Sequence, residues 1–163
     1  MSVMGAELTE AIVASSVIKP TFEQVYAESL PWLVRLARVA LYDGSRAEEV
    51  VQDAFATLYG RYARIDAPAA YLRVTVLNGC RSANRRRAVA WHHRTVATDS
   101  VDDEPDLLLD AVRRLPARRR DVILLRYYLD LSEAETAATL GIPISTVKST
   151  THRALRNLKE AIE

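Results

Sequence analysis

The chain has 163 residues, 49% of them apolar and 26% charged, with a formal net charge of +1. That length suits one or two small domains, and that balance excludes global disorder. A single cysteine, Cys80, excludes an intramolecular disulfide and a cysteine-rich zinc site, and no apolar run is long enough for a membrane span or a signal peptide. The cytoplasm is the expected compartment.

Charge is unevenly distributed. Residues 20–87 hold ten arginines and seven acids, residues 88–106 one arginine and five acids, and residues 107–163 ten cations and seven acids. Two basic blocks thus flank an acidic joint, which suits two nucleic-acid-facing modules tied by a linker. With only five glycines and no run alternating at a period of two, the expected fold is all-α: two small helical domains joined by that acidic linker.

In chain order, residues 1–19 read as a tail, in which Leu8 to Val17 could fold as a short helix on a partner. Thr21 and Gln24 form a capping box for a helix bearing Phe22, Val25, Tyr26, Leu33, Leu36, Ala37 and Leu41, which Pro31 should kink or divide. After an Asp43-Gly44 turn, Ser45 and Glu48 should cap a helix with Ala47, Val50, Val51, Ala54, Phe55, Leu58, Tyr59 and Tyr62 on one face. Glu48, Glu49, Gln52 and Asp53 cluster opposite that stripe. Such an acidic and amide face suits a basic protein groove and repels nucleic acid, although a plain solvated face carries the same pattern.

Residues 63–67 read as a loop, and Pro68 opens a helix running to about Arg87. Its cationic side carries Arg73, Asn78, Arg81, Arg85, Arg86 and Arg87, with Tyr71 near its start. Arginines neutralise phosphates and aromatics stack on unpaired bases, and the preceding loop, with Tyr62 and Arg64, offers a lip for a displaced base. Arginines complementing a helix dipole would explain residues 85–87 equally well, but not Asn78. Residues 88–105 read as the linker. The domain limits are therefore a 1–19 tail, a 20–87 domain, the 88–105 linker and a 106–163 domain.

Further helices are expected over about 106–115, 117–129, 133–140 and 145–162. The last two form a helix-turn-helix. Ser132 and Glu135 make a capping box; Ala134, Ala137, Ala138 and Leu140 give a small apolar face; Gly141 and Pro143 end the first helix, and Ser145 should cap the second. The second helix has the apolar stripe Val147, Thr151, Ala154, Leu155, Leu158 and Ile162. Its other side carries Ser145, Ser149, His152 and Arg156, flanked by Lys148 and Arg153. Short polar residues at a helix start suit base edges, and cations further on suit phosphates.

Together these segments resemble the extracytoplasmic-function sigma factors of the bacterial sigma-70 family, of an actinobacterial type. AEEVVQDAF (47–55) resembles the family's polymerase-clamp helix. AAYLRVTVLNGCRSANRRR (69–87) resembles its promoter-melting helix. LPARRRDVILLRYYLDLSEAETAATLGIPISTVKS (115–149) resembles the domain that reads the upstream promoter element. The resemblance implies an RNA polymerase sigma factor with core polymerase (beta-prime clamp and beta flap) and promoter DNA as partners, and an anti-sigma factor as a further one. Glu49, Gln52 and Asp53 match positions that dock on the beta-prime coiled coil. Asn78 matches an asparagine near melted DNA, Arg73 and Arg81 its basic neighbours, and the 62–67 loop the segment that captures a flipped minus-ten base. Ser145, Thr146, Lys148, Ser149, His152 and Arg153 match the helix that enters the major groove at the minus-thirty-five element. The 88–105 linker matches one that threads toward the polymerase active-site channel.

The chain departs from the family pattern in places. Thr150 stands where an arginine is common, so Thr150→Arg is expected to add a DNA contact. Thr136 replaces a common isoleucine and Ser145 a common glycine, and the small Gly79-Cys80 pair points to tight helix packing. Two rival functions compete with this reading. A stand-alone helix-turn-helix activator or repressor would leave the acidic and Arg-rich helices unexplained. A metal enzyme using His92, His93 and Cys80 lacks carboxylates at matching spacing, and adjacent histidines do not share a helix face. No catalytic activity, metal or cofactor is therefore expected.

Overall fold

The computed structural model describes residues 18–91 and 106–163, and every regular element in them is helical. Helix α1 spans Phe22–Ala40, α2 Ala47–Arg61 and α3 Pro68–Trp91. At the start of α1 the Thr21 hydroxyl accepts from the Gln24 amide at 3.2 Å, while the Gln24 side chain accepts from the Thr21 amide at 2.8 Å. Pro31 does not divide the helix. It and Ala27, whose carbonyl it leaves unbonded, are both exposed, so water hydrates that carbonyl while Ser29 and Leu33 pack inward.

The start of α2 departs from expectation too. Asp43, not Ser45, is the capping side chain: its carboxylate accepts from the Ser45 amide at 3.1 Å and from the Ser45 hydroxyl at 2.6 Å. A charged acceptor outcompetes a hydroxyl here, and these residues form a 3-10 turn over Gly44–Arg46. The Ser45 hydroxyl bond is the leading reason that the Asp43 carboxyl lies below its ordinary range.

The three helices pack mutually around Leu33, Leu36, Val51, Leu58, Leu72, Val76 and Leu77, all fully buried. Gly79 sits at the α2–α3 crossing, where a Cβ would lie 2.8 Å from Val50 Cγ1. Asn84, which carried no signal in the sequence, is buried, donates to the Ala40 carbonyl at 2.9 Å and accepts from the Tyr42 amide at 3.0 Å. It thereby closes the open end of α1. Tyr59, expected on the apolar stripe, is 69% exposed. Helix α3 continues four residues past Arg87, and the rest of the expected linker, with His92 and His93, lies outside the described residues, as does the tail to residue 17.

The C-terminal part comprises α4 (Leu107–Arg114), α5 (Ala117–Ile123), α6 (Glu133–Leu140) and α7 (Ile144–Ile162). Asp106 caps α4 by accepting from the amides of Leu108 and Leu109. Helix α5 widens into a π turn over Leu124–Tyr128, with the Leu129 amide bonded to the Leu124 carbonyl at 3.0 Å. The Ser132–Glu135 capping box is present, and Gly141 ends α6 at φ 64°, a left-handed geometry that a Cβ disfavours.

Three expectations fail here. Pro143, not Ser145, precedes the first residue of α7, because the proline's fixed φ already sets the entry and Ser145 falls inside the first turn. The buried face of α6 is Thr136 and Ala137, with Ala134 and Ala138 exposed. The buried face of α7 is Val147, Thr150, Ala154 and Leu158, whereas Leu155 and Ile162 are 43% and 48% exposed. Helix α7 packs against α4, α5 and α6 together, which turns its inward face toward Thr150 and leaves Thr151 at the edge.

The two parts touch. One connected cluster of buried side chains runs from Val25 in α1 to Leu158 in α7. At the seam the Arg113 guanidinium donates to the Arg38 carbonyl at 3.0 Å, and Arg120 lies 5.1 Å from the centre of the Tyr42 ring.

Candidate nucleic-acid interface

The outward side of α7 carries Ser145, Lys148, Ser149, His152, Arg153 and Arg156, all exposed, with Thr146 half-buried beside them. They lie opposite Val147, Thr150 and Ala154, so the packing that buries one face of the helix presents the other. Ser149 donates its hydroxyl to the Thr146 carbonyl at 3.2 Å, which leaves its oxygen as an acceptor. Lys148 lies 3.7 Å from Glu133 at the start of α6. The structure thus brings together every residue that the sequence placed on this face. It removes Thr150 from reach of DNA, because that side chain points into the helix bundle.

The residues expected at melted DNA are more dispersed. Asn78, Arg85 and Arg64 are exposed, and Tyr71 and Arg73 are half-buried. Arg81 is paired with Asp121 of α5, a carboxylate only 3% exposed. Burial pushes the Asp121 carboxyl above its ordinary value, while Arg81 and Arg120 pull it back. Arg87 lies 3.7 Å from Asp43. Glu135 of α6 is held below the usual carboxylate range, chiefly by the Ser132 amide and hydroxyl and further by the charge of Arg73. Tyr62 is not an open lip. Its hydroxyl donates to the Pro20 carbonyl, its ring lies edge-on to Phe22 at 5.7 Å, and the Lys19 ammonium lies 4.5 Å above it. The exposed ring of that cluster is Tyr59, edge-on to Phe22 at 5.1 Å.

On α2, Glu48, Glu49, Gln52 and Asp53 are all exposed on one side. Three of them have partners that sequence spacing gave little reason to name. Arg38 reaches Glu48 at 3.4 Å, Arg46 forks onto Glu49 at 2.8 and 3.0 Å, and Gln52 donates to the Tyr26 hydroxyl at 3.0 Å. The Arg46 hydrogen bond is the main cause of the lowered Glu49 carboxyl. The Cys80 thiol is buried and, mainly by that burial, pushed up to about 12, which removes it as a nucleophile at neutral pH. No helix among the described residues is long and apolar enough to cross a membrane.

With this geometry in hand, similarity to known proteins covers both parts of the chain. The sigma-70 region 2 family matches residues 25–89, and the sigma-70 region 4 family matches residues 106–158. An RNA polymerase sigma-E factor of Streptomyces coelicolor is 33% identical over 86% of this chain and 85% of its own length. That of Streptomyces avermitilis is 35% identical over 87% of this chain and 85% of its own. Among solved structures, the sigma factor RpoE of Bartonella quintana, bound to the anti-sigma factor NepR, shares the fold with a TM-score of 0.73 at 24% identity, over 86% of this chain and 96% of its own.

Proposed function

The chain belongs to the sigma-70 family as an extracytoplasmic-function RNA polymerase sigma factor, which directs promoter recognition and transcription initiation, and on that premise we propose which of its surfaces perform each step. Helix α7 reads the minus-thirty-five element through Ser145, Thr146, Lys148, Ser149, His152 and Arg153, with Arg156 on phosphate. Helix α3 and the 62–67 loop act at the minus-ten element through Arg64, Tyr71, Arg73, Asn78, Arg81 and Arg85, with Tyr62 supporting the loop by its packing. The acidic side of α2 docks on the beta-prime clamp of core polymerase, and residues 106–163 form the domain that meets the beta flap. The protein works in the cytoplasm, has no catalytic activity of its own, and is restrained by an anti-sigma factor, as the Bartonella sigma factor is bound by NepR.

The observation that carries this reading is the two-sided character of α7, apolar and small where it meets three helices, short-polar then cationic where it meets solvent. A helix start with free amides and short side chains approaches base edges closely, and cations beyond it meet phosphates. A stand-alone activator needs only that surface. It leaves the three-helix part that matches region 2 without a task.

In vitro transcription with core polymerase over a promoter library tests the assignment. Arg153→Ala should lower use of the upstream element. Asp53→Lys should weaken core binding with helicity intact, because Asp53 is exposed. Asn78→Ala should reduce permanganate reactivity of the minus-ten region more than it reduces polymerase binding. If core affinity survives Asp53→Lys the clamp assignment is wrong, and if Asn78→Ala lowers binding and opening together that residue is structural.

A further inference from the structure

We propose that the short segment ahead of α1, Lys19–Pro20, is a strap that fixes the shape of the 62–67 loop, and that Lys19 is a positioning residue for the unpaired base which that loop captures. This rests on the proposed minus-ten role of the loop. The Lys19 ammonium donates to the Tyr62 carbonyl and lies 4.5 Å above the Tyr62 ring, and the Tyr62 hydroxyl donates back to the Pro20 carbonyl. Backbone and side chain of Tyr62 are thus both tied to one segment far away in sequence. The same Tyr62 carbonyl accepts from the Ile65 amide at 3.3 Å, the bond that closes the 3-10 turn Tyr62–Arg64. A carbonyl oxygen has two lone pairs, so the lysine and the turn share it.

The strap is stiff for local reasons. Pro20 fixes its own φ and disfavours helical backbone at Lys19, and the Thr21–Gln24 capping box sets the start of α1 immediately afterwards. Lys19 also meets the carboxyl end of α2, where carbonyls without a helical partner favour a cation. The other side of the loop is anchored separately: Ile65 packs on the core, and Pro68 is buried at the start of α3. Between these anchors Ala63, Arg64, Asp66 and Ala67 are all exposed. A free loop of small and polar residues would lose entropy on closing around a base, and a loop already held loses less. The ammonium faces the Tyr62 ring and carbonyl, so Lys19 acts on the base through the loop.

The test uses the full chain bound to core polymerase, and fork-junction DNA carrying each of the four bases in turn at each minus-ten position. Selectivity is the ratio of dissociation constants for the worst and the best base at the most selective position. Lys19→Ala should lower it by roughly fivefold, the change expected when the base-ready loop falls from nearly all of the population to about a fifth. Affinity for the disfavoured base, which gains nothing from the loop, should not change, nor should affinity for core polymerase. Lys19→Arg keeps the charge, the donor and the ring contact, and should restore most of the selectivity. Tyr62→Phe removes only the bond to Pro20 and should cost about twofold. Arg64→Ala with Asp66→Ala strips the loop of its exposed charged groups and should abolish selectivity. If it does so while Lys19→Ala keeps the parental selectivity, there is no strap. If Lys19→Ala weakens binding to all four bases alike and lowers the salt slope by about one, Lys19 is a phosphate contact and not a positioning residue. Full selectivity in the double loop variant overturns the minus-ten assignment of the loop, and the strap with it.

Discussion

Helices α3 and α7 are the two long cationic helices of the chain, and they hold their charge in different company. On α7, Arg153 and Arg156 point outward with no acid paired to them among the described residues, while Lys148 lies near Glu133 and Lys159 near Glu163. On α3, Arg81 is paired with Asp121 and Arg87 lies near Asp43. The cause is packing. Helix α7 is covered on one side by its own domain, whereas α3 is covered by α1 and α2 on one side and by the C-terminal domain on the other. Helix α3 therefore presents fewer free cations than a basic face counted from sequence suggests, with Arg85 exposed but Arg81 and Arg87 engaged by acids.

The largest effect sharpens the inward side of α7. Thr150→Arg should not strengthen DNA binding, although the family pattern predicts that it would. It places a guanidinium where the side chain is 9% exposed, and should destabilise the C-terminal domain by about 3 kcal/mol. Ser149→Arg, one residue earlier and exposed, should stay within about 0.5 kcal/mol of the parent. Urea titrations followed by circular dichroism compare the two. An unchanged midpoint for Thr150→Arg together with tighter upstream-element binding would reverse the orientation of the helix.

On α3 the matching test is Gly79. A Cβ there meets Val50 Cγ1 at 2.8 Å, and valine at position 50 is too stiff to move aside freely. Gly79→Val should cost about 1.5 kcal/mol, the overpacking penalty less the small gain in helix preference. Val50→Ala should suppress that cost, so the two changes together should be less harmful than their sum. Additive losses would mean that the helices do not cross at this glycine.

What could be read from the sequence was whatever is settled within one turn of chain. The Thr21–Gln24 and Ser132–Glu135 boxes and the Gly141 stop depend on side chains meeting backbone three residues away, and all three are present. Thr150 and Thr151 are chemically identical neighbours, so periodicity had no contrast by which to choose the buried one. The Asp43 cap was hidden because Ser45 and Glu48 fit the box pattern equally well. The Arg81–Asp121 pair joins residues forty positions apart, and Asn84 closes a helix end forty-four positions away, so neither leaves a local pattern. The outward face of α7 was legible because its residues alternate with strongly apolar ones on a helix packed from one side.

Salt dependence tests the comparison directly. Binding of the free chain to duplex DNA should lose about one unit of salt slope in Arg153→Ala, because one phosphate contact is gone. Arg81→Ala should leave the slope unchanged, since that guanidinium is already neutralised by Asp121. Equal loss in both variants would show Arg81 open to DNA and erase the distinction between the two helices.

The smallest effect concerns Lys148, the α7 cation whose partner lies on another helix. Its ammonium lies 3.7 Å from Glu133, and both side chains are well exposed, so the pair is worth on the order of 0.5 kcal/mol. DNA must compete with that carboxylate for the lysine. Glu133→Gln should therefore tighten binding to an upstream-element duplex by about twofold, with the gain shrinking as salt rises. It also removes a negative charge from the first turn of α6, which should cost stability of only about 0.3 kcal/mol through the helix dipole. Removing any acid near DNA strengthens binding through the general field, so the discriminating measurement is the same change in a Lys148→Ala background. If the carboxylate acts by holding Lys148, the gain disappears there. If it persists undiminished, Glu133 only repels the DNA, and Lys148 is as unencumbered in the free chain as Arg153.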